Sequence, residues 1–299
     1  MLRDAAISFP MLGDWSIDPP YSFTVFGFEI YFYGAIIALG FILAALFCAK
    51  QAAKFGLTSD DLFDFVIWLI PTCIIGARLY YVLFKLDYFL ANPSEILTVR
   101  DGGLAIYGGI IAGVITGILV CRKKKIPVLA LGDLAAFGLL IGQAIGRWGN
   151  FVNQEAYGAF TGSSWWGMQS DKTISEMGEG LVHPCFLYES IWCLAGFFVL
   201  NHFSKKRKFS GEISLMYCVW YGFGRGIIEL LRTDSLMLGN IKVSCLLSFA
   251  ICIAGAVLLA VFSRRAAEKA EPSDYEAVFA DNADEPTEEI QEETHEQDN

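Results

Sequence analysis

Arg147, Asn150, Asn153 and Glu155 stand close together in GQAIGRWGNFVNQEAYG, the stretch from Gly142 to Gly158, directly after a long apolar segment. If that segment crosses a bilayer, Arg147 lies where hydrocarbon gives way to headgroups. A guanidinium well inside a membrane costs about 2.5–3.5 kcal/mol on insertion scales. Lys would be the cheaper cation, because it snorkels, but it is a poorer fork for phosphate. Arg147 and Asn150 lie three apart, and Asn153 or Gln154 extends the stripe if the helix continues. Fixed donors of this kind suit an anion. The plainer reading has these residues end a helix among headgroups. Against it stands their density: one Arg, two Asn, one Gln and one Glu within nine residues.

Further polar residues fall inside apolar runs. Tyr221, Arg225 and Glu229 recur every four residues and so share a helix face, with Arg232 and Asp234 just beyond. A simple i,i+4 ion pair explains only part of that, since Arg preceding Glu is the weaker order on an isolated helix. Arg78, in GARLYYVLF, stands between bundle glue and site residue. Tyr107 follows Gly102 and Gly103 by about one turn, and the glycines flanking it are candidates for leaving space beside a ligand. Tyr33 lies about a turn inside its segment. Asp133 is the exception, placed toward the opposite end, where a structural hydrogen-bonding role is at least as good a reading as a catalytic one.

The elements that must position these groups are membrane spans. With 55% hydrophobic residues in 299, the chain is expected to be an all-α polytopic membrane protein. Seven segments reach the required length, near residues 29–49, 62–85, 103–121, 127–146, 185–203, 213–231 and 241–262. Lys50 and Lys54, Arg122 to Lys125, Lys205 to Lys208, and Arg264 with Arg265 follow alternate spans. By the positive-inside rule those loops are cytoplasmic, so the N-terminus is outside and the C-terminus inside. Most of the buried polarity then gathers in the outer half.

Residues 1–267 are expected to form the membrane domain, with an outer loop or lid at about 147–184 that carries Trp165 and Trp166. Those two Trp fit interface anchors better than ligand contacts. The formal charge of −10 belongs to residues 268–299, where about thirteen acidic residues accompany one Lys. That tail reads as disordered and cytoplasmic. The eight cysteines lack zinc-site spacing, three His offer no HExxH pattern, and no metal is expected. A leader with a basic segment, apolar core and cleavage site is not evident at the N-terminus. A nucleic-acid partner is not expected either.

Three or four arginines facing an outward cavity suggest a ligand with negative charge at headgroup depth. Glycerophospholipid fits that description.

The chain also resembles the bacterial prolipoprotein diacylglyceryl transferases, across essentially all seven spans. GRWGNFVNQEAYG at 146–158 is similar to their signature G-R-x-G-N-F-x-N-x-E-x-x-G at every fixed position. YFYGAIIALGF from Tyr31, GARLYYVLF from Gly76, HPCFLYES from His183 and YGFGRGIIELLRTD from Tyr221 resemble the other blocks, in order. The resemblance implies a multi-pass enzyme of the bacterial inner membrane that moves diacylglyceryl from phosphatidylglycerol to the thiol of a lipobox cysteine in a preprolipoprotein. The products are a thioether and glycerol phosphate, and the active site faces the outer leaflet. No cofactor is implied.

On this resemblance Arg147 and Arg225 match the two arginines the family depends on, with Tyr107 and Glu229 also expected at the chemistry. Asn150, Asn153, Glu155, Gly158, Tyr33, Tyr221 and Arg78 are expected to bind substrate. One departure is that many members have His where this chain has Tyr107 in GLAIYGG. A phenol with a pKa near 10 is a poor general base at neutral pH. Asp133, Glu229 and Glu155 therefore remain possible acceptors of the thiol proton. A phospholipid or anion transporter could use the same arginines, although the hydropathy shows no inverted repeat. An intramembrane hydrolase lacks a GxSxG elbow or zinc pattern.

Overall fold

A computed structural model describes residues 6–13, 16–98, 102–233, 235, 237–239 and 241–270. Its helices are α1 (Phe32–Gln51), α2 (Ser59–Phe84), α3 (Leu86–Ala91), α4 (Ile106–Lys124), α5 (Val128–Val152), α6 (Asp171–Met177), α7 (Cys185–Ser204), α8 (Glu212–Leu231) and α9 (Val243–Ala270). The short strands are β1 (Ile7–Ser8), β2 (Ser16–Ile17), β3 (Ser22–Val25), β4 (Phe28–Tyr31), β5 (Gln169–Ser170), β6 (Met237–Leu238) and β7 (Ile241–Lys242).

Six helices among the described residues, α1, α2, α4, α5, α7 and α9, are long and apolar enough to cross a membrane. The fold is thus all-α and polytopic. The remaining expected span, α8, has 20 residues but carries Glu212, Arg225 and Glu229, which lower its apolarity. It packs along α9 and α7 and also touches α5.

Helix α5 occupies the middle, against α1, α7 and α8. Leu131, Leu134, Phe137, Leu140 and Ala144 recur at helical spacing and are all buried, joined in the core by Cys48, Phe65, Cys193, Leu200 and Ile213. The α2 helix opens on a capping box, with the Asp61 amide donating to Thr58 Oγ1 at 3.1 Å and the Thr58 amide to Asp61 Oδ2 at 3.0 Å. This explains why it starts at Ser59, three residues before the apolar run. Pro71 interrupts its ladder, and Thr72 Oγ1 donates to the Trp68 carbonyl at 2.7 Å. On α4, Gly108 does not leave room for a ligand: a Cβ there would collide with the Gly76 carbonyl oxygen. The glycine serves close helix packing instead.

Helices α7 and α8 are joined by a reciprocal clasp. Trp192 Nε1 donates to the Trp220 carbonyl at 3.0 Å, Trp220 Nε1 donates to the Trp192 carbonyl at 2.9 Å, and the rings stack at 4.5 Å. The clasp sets the register of the two helices that carry most of the site.

The stretch from 147 to 184, expected as a loop or lid, is mostly a folded head. Strand β1 pairs antiparallel with both β2 and β5, so the N-terminal segment and the α5–α7 connection lie at one end of the bundle. Ile7, Phe9, Phe151, Tyr157, Met168, Val182 and Phe186 bury one another there. Helix α5 itself runs on to Val152, beyond the expected end at 146. The first span starts later than expected, at Phe32, because residues 28–31 form β4. At the other end of the chain, α9 extends to Ala270, so the first residues assigned to the acidic tail are helical. Residues 271–299 of that tail, and Asp234, lie outside the described residues.

Candidate functional site

The last turns of α5 and α8 and the second turn of α7 meet below the head. Because α5 continues through Val152 with Asn153 as its C-cap, Arg147 and Asn150 share one face. Arg147 Nη1 donates to Asn150 Oδ1 at 3.0 Å. Asn150 Nδ2 donates in turn to Glu155 Oε1 at 2.8 Å, and Asn153 Nδ2 approaches the same oxygen at 3.4 Å. The signature stripe is therefore one hydrogen-bonded chain from guanidinium to carboxylate.

At its centre is Glu189 on α7. Its Oε1 accepts from Arg147 Nη2 at 2.6 Å and from the Tyr221 hydroxyl at 3.2 Å, while Oε2 accepts from Arg225 Nη1 at 2.7 Å. Arg225 Nη2 also lies 2.6 Å from Glu229 Oε2, and Arg232 Nε lies 4.0 Å from that oxygen. The Glu189 side chain is only 2% exposed, against 21% for Arg147 and 15% for Arg225. A carboxylate so buried must be paired, and it brings two cations from different helices onto one centre. Glu189 had not been singled out from the sequence. The signal was present, since it is the one acidic residue within the apolar helix that begins in HPCFLYES.

Neighbouring residues hold this centre in place. Tyr221 stacks on Tyr217 at 5.5 Å, and Gln143 Nε2 donates to the Tyr217 hydroxyl at 2.8 Å. Tyr33, in the first turn of α1, lies over Gly149, where a Cβ would stand 2.8 Å from the ring. Gly158 sits where the signature loop crosses the ends of α7 and α8. Its amide donates to the His183 carbonyl at 2.9 Å, and the Ala159 amide donates to the Leu231 carbonyl at 2.7 Å. A Cβ on Gly158 would meet His183 Cβ at 2.8 Å and Cys185 Sγ at 2.9 Å, so this glycine is required by packing. Lys242 Nζ donates to the carbonyls of Glu229 and Leu230, both at 3.0 Å, closing the C-terminal end of α8 with a cation.

Beside Glu155 a cavity of about 200 Å³ is lined by Glu155, Ala156, Tyr157, Lys172, Glu176 and Thr233. Lys172 Nζ reaches the Asn153 carbonyl at 3.2 Å, and the Tyr157 hydroxyl donates to Glu176. Gln154 and Ala156 both have positive φ, 51° and 59°, so the loop is held in a conformation that non-glycine residues seldom take. Trp165 is largely exposed, whereas Trp166 donates to the Tyr188 hydroxyl at 2.8 Å and stacks on that ring. Among the described residues, no group of three or more His, Cys, Asp or Glu is arranged to hold a metal ion.

Two expected site residues, Arg78 and Tyr107, and Asp133, for which a structural role was an equal reading, lie outside this cluster. Arg78, expected to bind substrate, instead gives its guanidinium to backbone carbonyls: Nε to Ile96 at 2.8 Å, Nη2 to Glu95 at 2.6 Å, and Nη1 to Gly102 and Gly103 at 3.1 and 3.0 Å. It clamps the α2–α4 connection. Asp133, a possible proton acceptor, is fully buried and accepts from the Gly211 amide, the Ser214 amide and the Ser214 hydroxyl, with Arg207 Nη1 at 3.2 Å. It lies fourteen residues before Arg147 on the same helix, roughly 21 Å away at 1.5 Å per residue. Its role is to tie the α7–α8 turn to α5. Tyr107 is about one-third exposed and faces Tyr80 at 6.5 Å; among the described residues its hydroxyl has no hydrogen-bond partner.

The fold and site define a polytopic helical membrane protein whose helices converge on a two-arginine, one-carboxylate centre at the head end. A family model described as prolipoprotein diacylglyceryl transferase matches residues 20–261. A phosphatidylglycerol–prolipoprotein diacylglyceryl transferase of Finegoldia magna is 44% identical over 238 residues, which cover 79% of this chain and 93% of the relative. Proteins of the same name from Clostridioides difficile and Bacillus cereus are both 41% identical, over 82% and 78% of this chain and 95% and 88% of their own lengths. The chain belongs to the prolipoprotein diacylglyceryl transferase family.

Proposed function

We propose that this protein transfers the diacylglyceryl group of phosphatidylglycerol to the thiol of the lipobox cysteine of a prolipoprotein, the first step of lipoprotein maturation. The observation that carries the reading is the convergence of Arg147 and Arg225 on Glu189 at the head end of the bundle. Family membership supports the same activity.

In the reaction, the cysteine sulfur, having lost its proton, forms a bond to a glyceryl carbon as the bond from that carbon to the phosphate oxygen breaks. The bonding electron pair stays on the phosphate, which departs as glycerol phosphate. Negative charge therefore builds on the phosphate, and guanidinium N–H groups held in place beforehand stabilise it without reorganising. Arg147 is aimed by Asn150 and Glu189, and Arg225 by Glu189 and Glu229. With Asp133 engaged at the other end and Glu189 held by both arginines, Glu155 and Glu229 are the carboxylates proposed to take the thiol proton.

The membrane arrangement is also part of the proposal. Seven helices including α8 cross the cytoplasmic membrane, the basic loops face the cytoplasm with the acidic tail, and the head and site face the outer leaflet. Purified full-length protein in vesicles of phosphatidylglycerol, given a lipobox peptide, should add the mass of diacylglyceryl to the peptide cysteine. Arg147→Ala should abolish that product. Failure of the wild type to form a thioether, or movement of lipid without bond cleavage, would refute the reading.

A further inference from the structure

Strands β3 and β4 form a hairpin that no part of the site uses. Its pairs are Ser22 with Tyr31, Phe23 with Ile30, Thr24 with Glu29 and Val25 with Phe28. Since side chains alternate along a strand, Phe23, Val25, Phe28 and Ile30 share one face while Ser22, Thr24, Glu29 and Tyr31 share the other. The first face is wholly apolar. The second is polar, and the Ser22 hydroxyl donates to Glu29 across it at 2.6 Å.

The turn is Phe26-Gly27, with φ of 49° and 84°. A two-residue turn with both φ positive favours Asn-Gly or Asp-Gly, and a bulky aromatic at its first position is strained. Phe26 is nonetheless 97% exposed and Phe28 69% exposed, so no part of the described protein covers them. In water, a phenylalanine here would be both strained and solvated. The combination makes sense only if the solvent at the tip is not water.

We propose that the β3–β4 hairpin is a lipid-interface anchor, with its apolar face and Phe26 seated among the acyl chains just beneath the headgroups and its polar face toward water. Continuity favours lipid over any other occupant. Strand β4 ends at Tyr31 and α1 begins at Phe32, with no linker between them. The Phe23 ring packs on Phe32 at 4.9 Å, and the Phe32 amide donates to the Tyr21 carbonyl at 3.0 Å. The apolar face therefore runs into a helix whose Ile37, Leu39, Ile42 and Leu43 are themselves exposed and need a bilayer around them. Tyr21 and Tyr31, edge-to-face at 5.3 Å, are the amphipathic rings expected at headgroup depth. A two-stranded ribbon has outer edges whose backbone groups need water, so the hairpin lies in the interface and does not cross it. The anchor fixes the depth of α1, and with it Tyr33, relative to the lipid headgroups.

The test is photo-crosslinking of full-length protein in phosphatidylglycerol vesicles, with p-benzoylphenylalanine placed singly at positions 24, 26, 28 and 29. Mass spectrometry should find lipid acyl-chain adducts at 26 and 28, several-fold above those at 24 and 29. Equal lipid labelling at all four positions, no lipid adduct at 26, or adducts there only to a second copy of the chain or to added lipobox peptide would overturn the proposal. The readout requires no turnover, so it stands or falls separately from the transfer reaction. Normal thioether formation by each labelled protein would show that the fold is intact.

Discussion

Replacing Glu189 by Gln keeps the shape of the side chain and removes the charge that joins two helices to α7. The carboxylate now faces guanidiniums at 2.6 and 2.7 Å and a phenol at 3.2 Å. Removing one partner of a buried pair costs about 3–5 kcal/mol, because the remaining charge stays buried and unpaired. Arg147 and Arg225 keep some access to water, and Arg225 keeps Glu229, so the lower end, about 3 kcal/mol, is expected for stability. The effect on catalysis is larger in proportion. Losing a single donor that stabilises developing charge lowers kcat by about 10²–10³-fold, and Glu189 aims two of them. Losing a negative charge beside the anionic lipid does not oppose binding, so KM for phosphatidylglycerol should stay level or fall while kcat drops by at least about 10²-fold. Glu189→Asp keeps the charge but is one methylene too short to reach both arginines, and should lose nearly as much. The assay is thioether formation on a lipobox peptide over a range of lipid concentrations, with thermal unfolding alongside. A kcat for Glu189→Gln within about threefold of wild type, or a loss confined to KM, would refute the positioning argument.

Other substitutions separate site from scaffold. Tyr107→Phe should keep kcat/KM within about threefold in the same assay, because the hydroxyl has no partner among the described residues; a loss of orders of magnitude would put it in the proton path. Arg78→Lys replaces a fork that serves four carbonyls with a point donor, so the unfolding midpoint should fall, by about 2–3 kcal/mol of stability, while KM for phosphatidylglycerol is unchanged. Trp192→Phe keeps an aromatic ring but removes one arm of the clasp, the second bond to a carbonyl already inside α8, at a cost of about 0.5–1.5 kcal/mol. Its kcat should fall by more than the loss of stability explains, since the clasp sets how Glu189 meets Arg225, and a second-site change that restores the midpoint should leave kcat low.

What the sequence made legible was charge out of place. Arg147, Arg225 and Glu229 stand out because ionisable residues in apolar runs are rare, and all three lie in the cluster. Glu189 is equally conspicuous by that rule, but a lone carboxylate in an apolar helix does not by itself point to a phosphate site, and its two arginine partners lie 36 and 42 residues away. The setting of Arg78 was hidden for a different reason. Its partners are main-chain carbonyls 17 to 25 residues away, and residue type says nothing about where a carbonyl points. Asp133 is similar, with partners 74 to 81 residues distant across the α7–α8 turn. The head was hidden because its strands β1, β2 and β5 have two residues each, too short for alternation to register. Helix ends were missed even where chemistry marks them: the Thr58–Asp61 capping box starts α2 at Ser59, three residues before the expected 62, and the end of α5 at Val152 carries polar residues that resemble a stop but still complete the helix.

An internal carboxylate also changes how the site meets its lipid. The sequence suggested that a phospholipid's phosphate neutralises the arginines, whereas Glu189 and Glu229 already do most of that. The helices can therefore pack before any lipid enters. Three guanidiniums, of Arg147, Arg225 and Arg232, face three carboxylates, of Glu189, Glu229 and Glu155, and the Lys242 ammonium at the end of α8 leaves one positive charge. A phosphodiester carries one negative charge, and the phosphomonoester that leaves carries more. Arg147 commits two of its five N–H donors, to Asn150 and Glu189, so further N–H groups remain for the phosphate. On the proposed reading, competition from Glu189 would weaken the hold on the incoming diester, while the same guanidiniums, already aimed, would respond in full as charge builds on the leaving oxygen. An interaction that strengthens along the reaction raises kcat, and one that merely binds the substrate does not.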